Sequence, residues 1–125
     1  MSLIPDLSEI PELDVVAPGE YDLRVFNVKE IESKNTGRKA IMLSCEIVGE
    51  DNALPLFHSI WLPMASDDED KKQLMLRMIK DFVINVGLPA EGNLEIEDFE
   101  DLQFSAFLDI EDNEYGKKNI IKRIS

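Results

Sequence analysis

The chain reads as a mainly β domain: five strands, with one α-helix between the third and the fourth, preceded by an extended N-terminal arm. Three observations predict this. Apolar residues alternate with polar ones along several separate stretches, the pattern of half-buried strands. Turn signals such as Lys34-Asn35-Thr36-Gly37 fall between them. Only one stretch changes to helical spacing, with Leu74, Met75, Met78, Ile79, Phe82, Val83 and Val86 forming one apolar stripe.

In order, residues 1–18 carry Pro5, Pro11 and Pro18 among acids and short apolar pairs. Proline this dense prevents a helix or central strand, so an arm is expected that packs Leu13, Val15 or Val16 on the body. One domain fills 19–125. Its first strand spans about Glu20 to Ser33, with Tyr21, Leu23 and Val25 on one face and Asp22, Arg24 and Phe26 on the other. The second, about Arg38 to Val48, sets Ile41, Leu43, Cys45 and Ile47 against Met42, Ser44 and Glu46. The third, Leu56 to Leu62, is partly apolar on both faces, which leaves its register and the place of Trp61 open.

The helix is expected to begin at Ser66, where Ser66 and Glu69 have the spacing of a capping box. Asp67, Asp68 and Asp70 complement the positive end of its dipole, and Gly87 and Pro89 stop it. The last hairpin follows. Phe104, Ala106, Leu108 and Ile110 alternate with Gln103, Ser105, Phe107 and Asp109. Asp112, Asn113 and Gly116 turn the chain, and Lys117, Lys118, Lys122 and Arg123 interleave with Ile120, Ile121 and Ile124.

Composition excludes several classes. The chain has 125 residues, 44% hydrophobic and 31% charged, which is globular rather than disordered. No stretch is long and apolar enough to span a membrane, and no basic region followed by an apolar block marks a signal peptide. The single cysteine, Cys45, has no internal partner and suits a reducing cytoplasm. No phosphate-cradling glycine loop, zinc spacing or nucleophile motif is present. His58 has no evident partner and reads as a packed or surface residue, while Asp67 to Asp70 are explained by the helix dipole without a metal. Neither an enzyme nor a cofactor is expected.

The net charge is −13. It is unevenly spread: residues Arg24 to Lys39 sum to +3, Lys117 to Ser125 to +4, and the remainder to −20. Bulk acidity repels phosphates, yet segregated cations bind them locally. Strand, strand, strand, helix, strand, strand is the order of an oligonucleotide-binding (OB) barrel, whose ligands lie on one sheet face between the loops joining strands 1–2 and 4–5. The two basic windows include those loops. Non-specific single-strand binding needs cations along the phosphates and flat rings for the bases. The candidate cations are Arg24, Lys34, Arg38, Lys39, Lys117, Lys118, Lys122 and Arg123, and the candidate rings are Phe26, Trp61, Phe107 and Tyr115.

The chain resembles the small single-stranded DNA-binding proteins of phages and prophages. The resemblance rests on Pro18-Gly19-Glu20-Tyr21 running into Asp22-Leu23-Arg24-Val25, on Lys34-Asn35-Thr36-Gly37, on Val86-Gly87-Leu88, and on the closing Tyr115-Gly116-Lys117-Lys118-Asn119-Ile120-Ile121-Lys122-Arg123-Ile124. It implies a five-stranded OB barrel, sequence-tolerant binding of single-stranded DNA, and work in replication or recombination beside phage or host proteins. Such a protein acts in the host cytoplasm. Dimerisation stays open at this level. A different reading of the same residues is an acidic OB-fold interaction module that docks a basic partner and binds no nucleic acid.

Overall fold

The computed structural model describes residues 3–10 and 12–125. Pro11, one of the three arm prolines, lies outside the described residues with Met1 and Ser2. Five strands form one open antiparallel sheet: β1 (Gly19–Glu32), β2 (Lys39–Ile47), β3 (Leu56–Trp61), β4 (Gln103–Asn113) and β5 (Gly116–Ile124), in the spatial order β3-β2-β1-β4-β5. The helix α1 (Glu69–Asn85) connects β3 to β4, followed by one short 3₁₀ turn, Ile96–Phe99. The order and type of the elements agree with the sequence pattern.

β1 is the centre of the sheet because it pairs twice. Its first half lies against β4, from Gly19 opposite Leu108 to Arg24 opposite Gln103. Most of its length lies against β2, from Leu23 opposite Ile47 to Glu32 opposite Lys39. A bulge interrupts that ladder between Val25 and Asn27, so Phe26 has no partner on β2. An extra residue of this kind bends the strand and raises its twist. Edge strands β3 and β5 approach one another and share a cleft lined by Leu56, Phe57, Lys118 and Asn119.

The period-2 faces meet in the core. Leu23, Val25, Leu43, Cys45, Leu56, Ala106 and Leu108 are all buried, together with Ile60, Phe104 and, from the helix, Val83 and Val86. Cys45 is the core thiol its strand position predicts, and burial pushes its pKa up to about 12. His58 also points inward. Its ring stacks on Phe82 at 5.0 Å between centroids, and Phe82 meets Phe104 edge-on at 6.2 Å. Burial lowers the pKa of His58, which favours the neutral ring.

Two expectations need correction. The helix N-cap is Asp68, whose carboxylate accepts from the Lys71 N–H at 2.7 Å; Ser66 precedes the helix and makes no capping box with Glu69. The apolar stripe of α1 is only partly used: Val83 and Val86 are buried and Ile79 and Phe82 pack on the core, but Leu74 and Met78 are exposed, Met78 to 64%. The arm packs on the core through Val16, one of the three residues expected to do so, while Leu13 is exposed. The arm is fixed by Asn119 of β5, which is buried. Its side-chain amide accepts from the Val16 N–H and donates to the Val16 carbonyl, each at 2.9 Å, imitating a backbone partner.

Candidate nucleic-acid interface

The ladders fix which residues share the face opposite the core. Beyond the β1 bulge, three rows cross the strands: Asn27–Ser44–Phe57, Lys29–Met42–Ser59 and Ile31–Ala40–Trp61. Strands lie about 4.8 Å apart and residues rise about 3.4 Å along each. Phe57 and Trp61 are therefore on the same side of β3, about 14 Å apart along the strand. Both rings are open to solvent, Phe57 at 56% and Trp61 at 42%. Exposed Lys29 belongs to the row between them. The register of β3, ambiguous in the sequence, thus assigns Trp61 to the outer face. It also brings in Phe57, which the sequence reading passed over because β3 carries apolar residues on both sides. Its signal was present: Phe57 and Trp61 share a parity opposite to Leu56 and Ile60.

Phe26 is also half exposed, but it opens on a cleft bordered by Arg24, Glu46, Glu50 and Asp51. Carboxylates dominate that rim, which disfavours a phosphate beside this ring. Phe107 is partly buried on the outer side of β4, with the Arg123 guanidinium 4.6 Å above its centroid, a cation–π pair. Tyr115 occupies the tip of the β4–β5 hairpin and is 90% exposed. The tight turn there is Glu114-Tyr115, between Asn113 and Gly116. Its geometry is held by the Asn113 side chain accepting from the Tyr115 N–H at 2.8 Å, and by Gly116 at φ 111°, a value that favours glycine.

The cations divide sharply. Arg38 is not a free cation, contrary to the expectation. It forms a two-pronged pair with Asp67, Nη1 to Oδ2 and Nη2 to Oδ1 both at 2.8 Å, and donates to the Leu62 carbonyl at 3.0 Å. The side chains retain only 15% and 6% of their exposure. The hydrogen bond from Arg38, with that from the Met64 N–H, holds the Asp67 carboxyl well below the usual carboxylate range. Arg38 therefore ties the start of β2 to the segment that leads into α1. Arg24 is likewise engaged, bridging Glu46 at 2.6 Å and Asp101 at 2.7 Å. These partners raise its pKa, the Glu46 hydrogen bond most. Lys39 pairs with Glu30 at 3.2 Å on the surface.

Lys34 stands exposed in the β1–β2 turn, where Gly37 adopts φ 74°. On the other hairpin Lys117 and Lys122 are exposed with no ion-pair partner among the described residues, and Lys118 makes only a loose contact with Glu111 at 3.8 Å. Lys118 and Phe57 line the same 270 Å³ cleft at the β3–β5 seam. The structure therefore brings Lys118 and Arg123 of one predicted cationic cluster to Phe57 and Phe107, and diverts much of the other cluster into internal pairs. Among the described residues no cluster of His, Cys, Asp and Glu could hold a metal ion, and no helix is long and apolar enough to cross a membrane. No protein-family model matches the chain, and no curated protein matches it.

Proposed function

We propose that this chain binds single-stranded DNA without strong sequence preference, as an OB-type barrel acting in phage-type replication or recombination and carrying out no chemistry of its own. The order β3-β2-β1-β4-β5, the approach of β3 to β5 and the helix between β3 and β4 support the barrel reading. The observation that carries the function is the outer face, with Phe57 and Trp61 exposed on one strand, Lys29 in the row between, and Lys118 at the seam beside Phe57. Rings so placed offer successive bases a stacking surface at about 1–3 kcal/mol each, and lysines follow the backbone.

The test is fluorescence anisotropy of labelled oligo-dT, about 30 nucleotides long so as to exceed the ~4–16 that one OB fold covers, at low and near-physiological salt, with duplex as control. Binding that favours the single strand and weakens with salt supports the reading. Phe57→Ala and Trp61→Ala should each then weaken it by about 5- to 150-fold, the equivalent of one lost stack. No binding at low salt would exclude it.

One observation favours the alternative of an acidic module that docks a basic protein partner. The cleft beside Phe26 combines an exposed ring with Glu46, Glu50 and Asp51, a combination suited to a lysine or arginine side chain. Phe26→Ala should leave oligo-dT binding nearly unchanged if that cleft serves a protein.

A further inference from the structure

Two apolar features of this chain lack a partner within it, and they match. The first is the arm. Leu3, Ile4, Leu7 and Ile10 are all exposed, at 96%, 68%, 58% and 64%. Leu7 to Ile10 is a turn, closed by the Ile10 N–H donating to the Leu7 carbonyl at 3.1 Å and steadied by Asp6 accepting from the Ser8 N–H at 3.0 Å. Leu7 and Ile10 stand at the two ends of this turn, and both are exposed. Isolated apolar side chains on a surface are ordinary; four within eight residues, on a segment whose first backbone tie to the rest of the domain among the described residues is at Asp14, are not.

The second feature is a groove of 180 Å³ between the free edge of β3 and α1. Its walls are almost wholly apolar, with Trp61, Met75, Met78, Ile79 and Phe82 prominent. Met78 and the neighbouring Leu74 are exposed helix positions that the core leaves uncovered. Methionine walls adapt readily to an inserted aliphatic side chain. The arm's own path does not fill this groove. Asp14 bridges to Ala53 and its carbonyl accepts from the Leu54 N–H at 2.8 Å, which fixes the arm just ahead of the start of β3. The groove lies toward the other end of that strand, at Trp61.

Charge favours the match. The described arm carries Asp6, Glu9, Glu12 and Asp14 and no cation. On α1, Lys71 lies one turn before Met75, with Lys72 beside it, and Lys39 precedes Ala40, the β2 partner of Trp61. Lys71 already contacts Asp67 at 3.7 Å, Lys39 pairs with Glu30 at 3.2 Å, and Asp81 lies near the Met78 end. Acids flanking Leu7 and Ile10 would therefore meet Lys72 directly, and Lys71 and Lys39 in exchange for their present partners.

We infer that the chain forms a symmetric dimer in which the Leu7–Ile10 turn of each copy seats in the β3–α1 groove of the other. Reciprocal exchange uses the same two patches twice and closes the assembly at two subunits. The inference does not rest on DNA binding, although Trp61 belongs both to this groove and to the outer face.

Sedimentation velocity of the full chain over a wide concentration range tests it. The wild type should show a reversible monomer–dimer equilibrium. Leu7→Asp with Ile10→Asp should weaken association by at least about tenfold, since two aliphatic contacts are lost and two charges are added. Met78→Asp should do the same from the groove side. All three positions are exposed, so circular dichroism and thermal unfolding of the monomer should be unchanged. Mixing the arm variant with the groove variant should restore partial association, because one intact arm then meets one intact groove. A wild type that stays monomeric at every concentration overturns the inference. So does dimerisation unaffected by both variants. A monomer in which the arm variant shifts Trp61 fluorescence also overturns it, by assigning the groove to the chain's own arm.

Discussion

The two basic windows look alike as sequence and differ as structure. Between Arg24 and Lys39 three of the five cations are engaged within the chain, while Lys29 and Lys34 stay exposed: Arg24 joins β1 to Glu46 and Asp101, Arg38 is enclosed with Asp67, and Lys39 meets Glu30. Between Lys117 and Arg123 they remain largely available, with one loose pair at Lys118 and Arg123 laid over Phe107. A charge count treats the windows as equivalent. What separates them is whether an acid from elsewhere in the chain reaches each cation, which only the tertiary structure decides. An enclosed arginine whose terminal fork is already taken by a carboxylate cannot offer that fork to a phosphate, whereas an exposed lysine on a hairpin tip keeps all three of its donors.

The contrast breaks most visibly under charge reversal. Replacing Lys117, Lys118 and Lys122 together by Glu should weaken oligo-dT binding at near-physiological salt by at least about a hundredfold, with the thermal transition little changed. Loss of folding instead would mean that these lysines, too, are structural. Arg38→Met should give the opposite result: a clear loss of thermal stability, since removing one partner leaves the Asp67 carboxylate enclosed without its main donor, and oligo-dT affinity at permissive temperature close to wild type. A large affinity loss in a folded Arg38→Met protein would erase the distinction drawn here.

Acid should weaken the fold in two stages. The folded pKa of His58 lies below its ordinary 6.5, so the stability of its neutral, stacked form is complete above that pH and declines as pH falls through the lowered value. His58→Phe should remove this first stage in a thermal-melt series across pH. The carboxyl of Asp67 is likewise depressed, so its contribution is complete above its ordinary 3.8 and is lost only in stronger acid. The smallest effect sharpens the comparison best. The slope of log affinity against log salt should fall by about 0.7 for each phosphate contact removed from a single strand. Lys117→Gln should show that change and Lys39→Gln a smaller one.

Much of the fold was legible because local rules agreed with the final structure. Alternation placed β1, β2 and β4 to within a residue or two, and Gly87, at φ 91°, ends the helix as its position suggests. The site was legible only in part. Tyr115 and the lysines around it were readable because a two-residue turn is a local object. Phe57 was legible only in part: its parity with Trp61 could be read locally, but which face of β3 turns outward is set by its register on β2, where Phe57 lies opposite Ser44. The destiny of Arg38 was hidden for the same reason: Asp67 is distant in sequence and had a sufficient local explanation in the helix dipole. Asp67 is taken up by Arg38 and Met64, and the cap expected at Ser66 is supplied by Asp68.

The double pairing of β1 also sets an order of assembly. Its contact with β2 closes over the six-residue connection from Ser33 to Arg38, so it needs little chain entropy and can form early. Its contact with β4 joins Gly19 to Leu108, across most of the chain, and must wait for a far costlier loop closure. We therefore expect the β1–β2 hairpin to be formed in the folding transition state and β4 to join it late. During synthesis this leaves the first half of β1 as an open strand edge until β4 has emerged. Glu20, Asp22 and Arg24 alternate along that edge, and charged residues on an exposed strand are what keep it from pairing with another nascent chain.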